Sequence, residues 1–533
     1  MFVFFLLGGR YLEMTARQKA VSVTEALAKL LPAFAQKLPN FPVDRNTLQC
    51  VVADLLPGDR VLVRPGEIIP ADGRVIEGLS CTNEALLTGE SKPVPKTPGD
   101  LVTGGTINAE SPLVVQIEQV GEGTRLSAII HLMERAAAEK PRIVEMADRV
   151  ASYFVAALLF VAVAVAIGWY LVDPTKALWI TVSVLVVTCP CALSLATPIA
   201  LTVAGGALAK DGLLVTRGHA IETLARATHF VFDKTGTLTT GKMQLLEVGV
   251  CGNLPEAECL KIAAALEQSS EHPVATALRR DVAGELPLTQ RVQAEAGQGI
   301  EAEIDGRLYR IGRPAYALKP SGKELPAALH GWLESGDTVV VLADEQGCLA
   351  LFRIGDELRP EAFSLIKELK ALGRHVVLLS GDAPAVANRV AAALGIDDGR
   401  AGVTPQGKHD CVTGLQKEGA VVAMIGDGVN DAPVLAQAQV SVAMGGGAQL
   451  ARTQSDFILL SENLDHLRHG LRRARKTLQV IQHNLWWSFA YNFVALPLAM
   501  TGYVTPWIAG IGMSASSLLV VLNSLRIQRG ETD

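Results

Sequence analysis

Charge is scarce in this chain: only 19% of its 533 residues are Asp, Glu, Lys or Arg, against 49% hydrophobic. That balance excludes intrinsic disorder, because so apolar a chain can bury ample core. Basic charge is scarcer still, with 48 Lys and Arg against 54 Asp and Glu, a net charge of -6 and a pI near 6.0. No basic run stands out beyond residues 472–476, so no nucleic-acid partner is expected. The eight cysteines lack the spacing of a secreted disulfide framework, which fits a reducing cytoplasm. Neither an internal repeat nor a low-complexity tract is visible. Residues 1–9 are apolar but carry no basic n-region or cleavage site, which excludes a signal peptide.

What the chain does have is long uncharged runs, and its mean hydropathy is +0.29. Residues 150–172 and 177–209 contain no charge, and 477–525 only His483. A helix needs about 20 apolar residues to cross a bilayer, so these stretches predict four spans, with short turns at 173–176 and 501–506. Basic residues gather on the opposite side (Arg10, Arg17, Lys19, Lys210, Arg217, Arg472, Arg473, Arg475, Lys476, Arg526, Arg529). The positive-inside rule then places the large hydrophilic segments in the cytoplasm. Residues 1–9 supply only about 13 Å of helix, so they read as the end of a spanning helix whose beginning lies outside this chain.

Length predicts about three or four domains. Short β-like runs at 50–54, 59–63, 75–77 and 113–118, punctuated by Pro57-Gly58, Pro65-Gly66 and Asp72-Gly73, predict a small β-rich domain. Residues 211–470 alternate β-runs with helical stretches, the pattern of a parallel α/β sheet. Three of those runs end in an acid: 229–232 at Asp233, 376–379 at Ser380-Gly381-Asp382, and 421–425 at Gly426-Asp427. Ligands of open α/β sheets bind beyond the carboxyl ends of strands, so the three acids predict a shared phosphate and Mg²⁺ site.

The string Asp233-Lys234-Thr235-Gly236-Thr237-Leu238-Thr239 resembles the P-type ATPases, pumps that pass through an aspartyl-phosphate. A carboxylate attacking the γ-phosphoryl of ATP needs Mg²⁺ and donors around the equatorial oxygens. The resemblance implies Asp233 as nucleophile, with Lys234, Thr235 and Thr237 around it. Related phosphatases carry an acid two residues on; here Thr235 stands there, so the phosphoenzyme would persist. Gly426-Asp427-Gly428-Val429-Asn430-Asp431 is the second family string. It implies Mg²⁺ held by Asp233, the Thr235 carbonyl and Asp427, with Asn430 and Asp431 completing the network. Pro405-Gln406-Gly407-Lys408 resembles the phosphate-contacting lysine motif, and Ser380-Gly381-Asp382 stands for the usual Thr-Gly-Asp. Thr88-Gly89-Glu90-Ser91 resembles the dephosphorylation loop, in which Glu90 orients water. Within 239–351, Ser270-Glu271-His272-Pro273 resembles the adenine-site motif of the heavy-metal subfamily. Glu267 and His272 would face the base, and Gly297-Gln298-Gly299 would let backbone approach it.

The transported ion follows from the membrane residues. Cys189-Pro190-Cys191 interrupts an uncharged stretch, and Pro190 would kink the helix and turn both thiols to one cavity. Two thiolates favour Cu(I) or Ag(I). Tyr491-Asn492, then Met513 and Ser517 at i and i+4, resemble the copper(I) subgroup. No Lys or Asp lies in 477–525 to serve a borderline divalent ion. Glu13 and Asp148 read as ordinary interfacial charges; by resemblance they fit a cytoplasmic entrance site and an exit path.

The expected fold class is a multidomain membrane protein: a transmembrane helical bundle, a β-rich actuator, an α/β haloacid dehalogenase-like phosphorylation domain and an α+β nucleotide-binding domain. The boundaries would be 1–39 end of a truncated helix and stalk, 40–120 actuator, 121–149 stalk and 150–210 two membrane helices. Phosphorylation segments would follow at 211–238 and 352–470 around a nucleotide domain at 239–351, then two membrane helices at 471–525 and a tail at 526–533. The expected activity is ATP-driven copper(I) export across a bacterial inner membrane, with ATP and Mg²⁺ as cofactors. The partners would be membrane lipid and a copper chaperone or periplasmic acceptor. The strings around Glu13 and Cys189 look most like the branch supplying copper for cytochrome-oxidase assembly. A silver(I) pump is the near alternative. A truncated remnant that binds ATP without transport is the other, expected if the missing helices and Cys-x-x-Cys domain are truly absent.

Overall fold

The computed structural model describes residues 31–84, 93–138, 142–187, 191–270, 272–280, 282, 284–295, 297–319, 330–333, 337–427, 432–445 and 454–528, with Tyr11 and Met14. They fall into two compact units, one of Met1–Ala227, Gln439–Gly446 and Arg452–Asp533, the other of Thr228–Ala438 and Gly447–Ala451.

The first unit opens with a six-stranded antiparallel sheet in the order Leu48–Val51, Phe34–Lys37, Arg60–Val63, Leu113–Gln119, Asp72–Glu77, Leu101–Val102. Alternation sends Val61 and Val63 inward, where they join Leu55, Ile69, Val75, Leu113, Val115 and Ile117 in one core. Gly58 and Gly66 take φ of +94° and +82°, the left-handed turns expected after Pro57 and Pro65. Asp72-Gly73 corrects the reading above, since it begins a strand rather than making a turn. Gly73 is needed there because a Cβ would lie 2.3 Å from the Gln116 carbonyl oxygen. Buried Asp72 accepts from the N–H groups of Gly104 at 2.8 Å and Arg125 at 2.7 Å, tying the sheet to the start of helix Arg125–Ala138.

The same unit holds the helices Arg142–Val172, Pro174–Val187, Cys191–Lys210, Asp465–Met500 and Pro506–Leu525. Pro174 and Pro506 each occupy the first helical position, where no backbone N–H is needed. Among the described residues, two stretches, Ser152–Val172 and Pro506–Leu525, are long and apolar enough to cross a membrane; Pro174–Val187 is a shorter apolar helix. Within the stretch 177–209 the described helical residues belong to Pro174–Val187 and Cys191–Lys210, and residues 188–190 lie outside the described residues.

Four parallel strands form the heart of the second unit, in the order Val422–Gly426, His229–Asp233, His375–Leu379, Asp398–Arg400. Phe230 and Phe232, on one face of the central strand, are fully buried. A six-stranded antiparallel cap sheet runs Thr239–Val250, Gly347–Leu358, Thr338–Asp344, Arg307–Gly312, Gly299–Ile304, Gln290–Glu295. Its core takes Ile262, Leu266 and Leu278 from two helices and Ile300, Ile311, Leu342 and Phe352 from the strands. The expected boundary at 351 falls inside one strand: Leu358 pairs with Thr239, so 352–358 continue the ladder that Gly347 begins. The long ladder carries them, because strand pairing continues until Arg359-Pro360 starts a helix.

Candidate active site

Parallel register lines up the ends of three neighbouring strands. Asp233 stands opposite Leu379, one residue before Ser380, and Phe232 stands opposite Ile425, two residues before Asp427. Asp233, Asp382 and Asp427 therefore leave the sheet at one edge, as their positions at strand ends predict.

Asp233 is buried, as are its basic neighbours Lys234 and Lys408. Lys408 Nζ donates to Asp233 Oδ1 at 2.5 Å. It is delivered by helix Pro405–Lys417, whose N-cap Thr404 accepts from the Gly407 N–H at 3.1 Å. Lys234 turns instead to Asp382 and forms an ion pair with it. Ser380 is buried, and its hydroxyl accepts from the Asp382 N–H at 3.1 Å.

After Asp233 the chain makes a tight loop through Gly236, whose φ is +70°. A Cβ there would meet Asp427 Oδ2 at 2.9 Å, so glycine lets this carboxylate lie against the loop. Thr235 is exposed and Thr237 buried, and the Thr237 hydroxyl has no hydrogen-bond partner among the described residues. A buried hydroxyl without a partner is costly, and beside Asp233 it is a donor ready for an incoming oxygen.

Thr239, the last residue of the Asp233 string, and two residues that no sequence motif singled out, Arg359 and Asp356, hold this loop. Buried Arg359 donates from Nε to the Thr237 and Thr239 carbonyls at 3.0 Å each and from a terminal nitrogen to the Gly236 carbonyl at 3.2 Å. Thr239 Oγ1 accepts from the Gly236 N–H at 3.2 Å and bonds the Lys234 carbonyl at 3.0 Å and the Asp356 carboxyl. Burial pushes the Asp356 carboxyl up, against the pull of the Thr239 hydrogen bond and the Lys234 charge. The only sequence signal for Arg359 was its place before the helix-starting Pro360.

In the cap, Glu267 is buried at the end of helix Glu256–Leu266, and burial raises its carboxyl above the ordinary range. His272 is exposed, caps helix Pro273–Arg279, and accepts the Val274 N–H on Nδ1 at 3.2 Å. Arg279 braces the loop between them, donating to the Gln268 carbonyl at 2.7 Å and the Ser270 carbonyl at 3.0 Å. Gly297 has φ +74° and open space where a Cβ would stand. Gly299 differs: its Cβ would strike the Ile311 carbonyl at 2.2 Å and Tyr316 at 2.7 Å. The space at Gly299 is thus used by the cap's own packing, while Gly297 keeps an open face.

Among the helices of the first unit, Asn492 donates to the Ser488 carbonyl at 3.0 Å, but its Oδ1 is buried with no partner among the described residues. Tyr491 places its hydroxyl 2.9 Å from where a Gly512 Cβ would stand, beside half-buried Met513, with Ser517 buried one turn on. Tyr491 and Gly512 line a cavity of about 400 Å³ with Val187, Trp487, Val494 and Ile508. Cys191 begins helix Cys191–Lys210 and Asp148 lies in helix Arg142–Val172; the side chains of both are outside the described residues. So are Glu13, Glu90, Cys189, Asn430 and Asp431.

At the far end of these helices Arg473 makes a clamp. Its Nε and a terminal nitrogen reach Asp211 Oδ2 at 2.8 and 2.6 Å, and its other terminal nitrogen donates to the Ile527 carbonyl at 2.6 Å. Asp211 follows the helix of Cys191, Arg473 lies on the helix of Tyr491, and Ile527 follows the helix of Met513.

Residues 30–134 match the P-type ATPase actuator domain, and 227–439 and 411–470 match two haloacid dehalogenase-like hydrolase families. A probable copper-exporting P-type ATPase V of Mycobacterium tuberculosis is 39% identical over 98% of this chain and 69% of its own length. The copper-exporting P-type ATPase B of Archaeoglobus fulgidus is 38% identical over 97% of this chain and 76% of its own. The crystal structure of a zinc-transporting PIB-type ATPase in the E2.Pi state overlays with a TM-score of 0.65 at 32% identity, covering 98% of this chain and 86% of that one. With relatedness of this extent and an aspartate-centred haloacid dehalogenase-like core, the chain belongs to the heavy-metal P-type ATPase family of ATP-hydrolysing, metal-exporting translocases.

Proposed function

We propose that this chain exports copper(I) at the expense of ATP, through a phosphoryl group carried on Asp233. The observation that supports the chemistry is the buried contact of Lys408 with Asp233 beside the unpartnered Thr237 hydroxyl. Asp233 attacks the γ-phosphorus; the new carboxylate-oxygen to phosphorus bond forms as the bond to the ADP oxygen breaks. The Lys408 ammonium and the Thr237 hydroxyl meet the charge that collects on the equatorial oxygens. Arg359 keeps the 236–239 carbonyls turned away, so that the loop presents donors to the phosphoryl group. Asp233, the Thr235 carbonyl and Asp427 would hold Mg²⁺, with Asp431 completing the set, and the close approach of Asp427 to Gly236 fits that role. When bound, the ion neutralises phosphate charge. Glu267, His272 and the open face at Gly297 would take the adenine, and Glu90 would direct water in dephosphorylation.

Copper(I) is favoured over zinc by ligand chemistry. Cys189, Cys191 and Met513 are soft donors, Asn492 offers a buried carbonyl oxygen, and 477–525 holds no Asp, Glu, Lys or Arg. The zinc-transporting structural relative makes zinc the second reading. An inner-membrane location with the catalytic units in the cytoplasm, a copper chaperone or periplasmic acceptor as partner, and a role in cytochrome-oxidase assembly complete the proposal. ATP hydrolysis measured against Cu(I), Ag(I) and Zn(II) tests the ion: stimulation by Cu(I) that disappears when Cys189 and Cys191 are both changed to Ser is expected. Stimulation by Zn(II) alone would assign the chain to the second reading.

A further inference from the structure

A pair of cysteines outside the phosphorylation chemistry lies in contact in the cap, with Cys348 Sγ 2.6 Å from Cys251 Sγ. The sheet builds this pair. Strand Gly347–Leu358 has a register shift against its neighbour, so that Leu342 faces Ala350 while Ala343 faces Cys348. Leu349 is the extra residue, a β-bulge. Leu349 and Ala350 both enter the main cap core, and Cys348 falls on the opposite face. Cys251, one residue past the regular pair Val250 and Ala350, takes that same face. The N–H groups of Cys251 and Gly252 both donate to the Leu349 carbonyl, at 2.8 and 3.1 Å, which fixes the strand end beside Cys348. Both thiols are half-buried and rest on Leu318, Val341 and Leu351 with Trp332.

We propose that Cys251 and Cys348 are a redox-modification site that closes to a reversible disulfide when a low-molecular-weight disulfide such as glutathione disulfide accumulates. The Cys251 thiolate attacks one sulfur of the oxidant, forming a mixed disulfide and releasing one thiolate. Cys348 then loses its proton and attacks the Cys251 sulfur, which expels the second small thiol. Two protein thiols are oxidised and one small disulfide is reduced to two thiols, so electrons and atoms balance. The assignment of roles follows the contact: the hydrogen bond from Cys348 draws the Cys251 thiol down, and the same bond with burial pushes Cys348 up. Strands Thr239–Val250 and Gly347–Leu358 are the two that join the cap to the Asp233 core. A bond between their outer ends would cross-link the cap and narrow its unfolded ensemble.

The full chain, equilibrated in glutathione buffers of rising disulfide content and then acid-quenched, alkylated and digested, tests this. A linked peptide joining Cys251 and Cys348, reversible by reductant and accompanied by a higher melting temperature of the cap, is expected. Cys348→Ser should stop at a mixed disulfide on Cys251, and Cys251→Ser should give no linked peptide. Full alkylation of both thiols at the most oxidising glutathione poise would overturn the proposal. So would a linked peptide joining Cys251 or Cys348 mainly to another cysteine, or no adduct on Cys251 in Cys348→Ser.

Discussion

Lys408 Nζ sits 2.5 Å from Asp233 Oδ1, although the two residues are 175 positions apart and both side chains are only 9% exposed. The contact orients the carboxylate and keeps a fixed positive charge where phosphoryl oxygens arrive. Lys408→Met removes that charge. Loss of one preorganised donor costs roughly a hundredfold or more in rate, so formation of the phosphoenzyme from ATP should fall by about that factor. Rapid-quench labelling reads it, and nucleotide affinity should hold. An unchanged labelling rate would make Lys408 a structural counter-charge only.

Arg359 should behave as a positioning residue. Its three contacts to the 236–239 carbonyls need a planar fork, which a lysine cannot supply. Arg359→Lys is expected to lower the labelling rate about tenfold, corresponding to loss of roughly one net hydrogen bond, with the KM for ATP little changed. A rise in KM at constant maximal rate would place its effect on nucleotide binding instead.

The strand-end acids were legible because a buried β-run followed by an acid is a local pattern, and Asp233 and Lys408 sit in strings that carry their chemistry. Arg359, Asp356 and Arg473 were not. Arg359 reaches Thr237 across 122 positions, and Arg473 reaches Asp211 across 262. No periodicity encodes such pairings. The full length of the second cap strand was not legible for a related reason: Leu358 owes its strand to Thr239, a partner that local pattern does not reveal. At Gly299 the contacts of Ile311 and Tyr316 were not legible, because a glycine alone does not say what lies against it.

Glu267 gives the cap a pH signature. Its folded carboxyl titrates above the ordinary 4.5, chiefly through burial. The folded state therefore holds its proton more tightly than the unfolded chain. The resulting stability is fully present below about 4.5 and is lost as pH rises through the raised value. Glu267→Gln should abolish this part of the slope. Melting curves of both proteins from pH 4 upward, compared as a difference, check it; parallel curves would show that Glu267 ionises freely in the folded cap.

Arg473 should hold the three helix ends together. A hydrogen bond to a charged group contributes about 1.5–3 kcal/mol, and Arg473→Ala removes its contacts to Asp211 and Ile527 at once. Thermal unfolding in detergent should shift down for Arg473→Ala, and Arg473→Lys, which can serve one partner, should recover part of the loss. Equal melting of the wild type and Arg473→Ala would show that the helices pack without the clamp.

The phosphoryl group on Asp233 is the centre of this account, and acid-stable labelling from γ-labelled ATP reaches it most directly. The wild-type chain and Asp233→Asn are compared after acid quench, with nucleotide binding measured in parallel. Label on the wild type that is absent from Asp233→Asn, with binding intact in both, is the predicted result. Acid-stable label that persists on Asp233→Asn would contradict it.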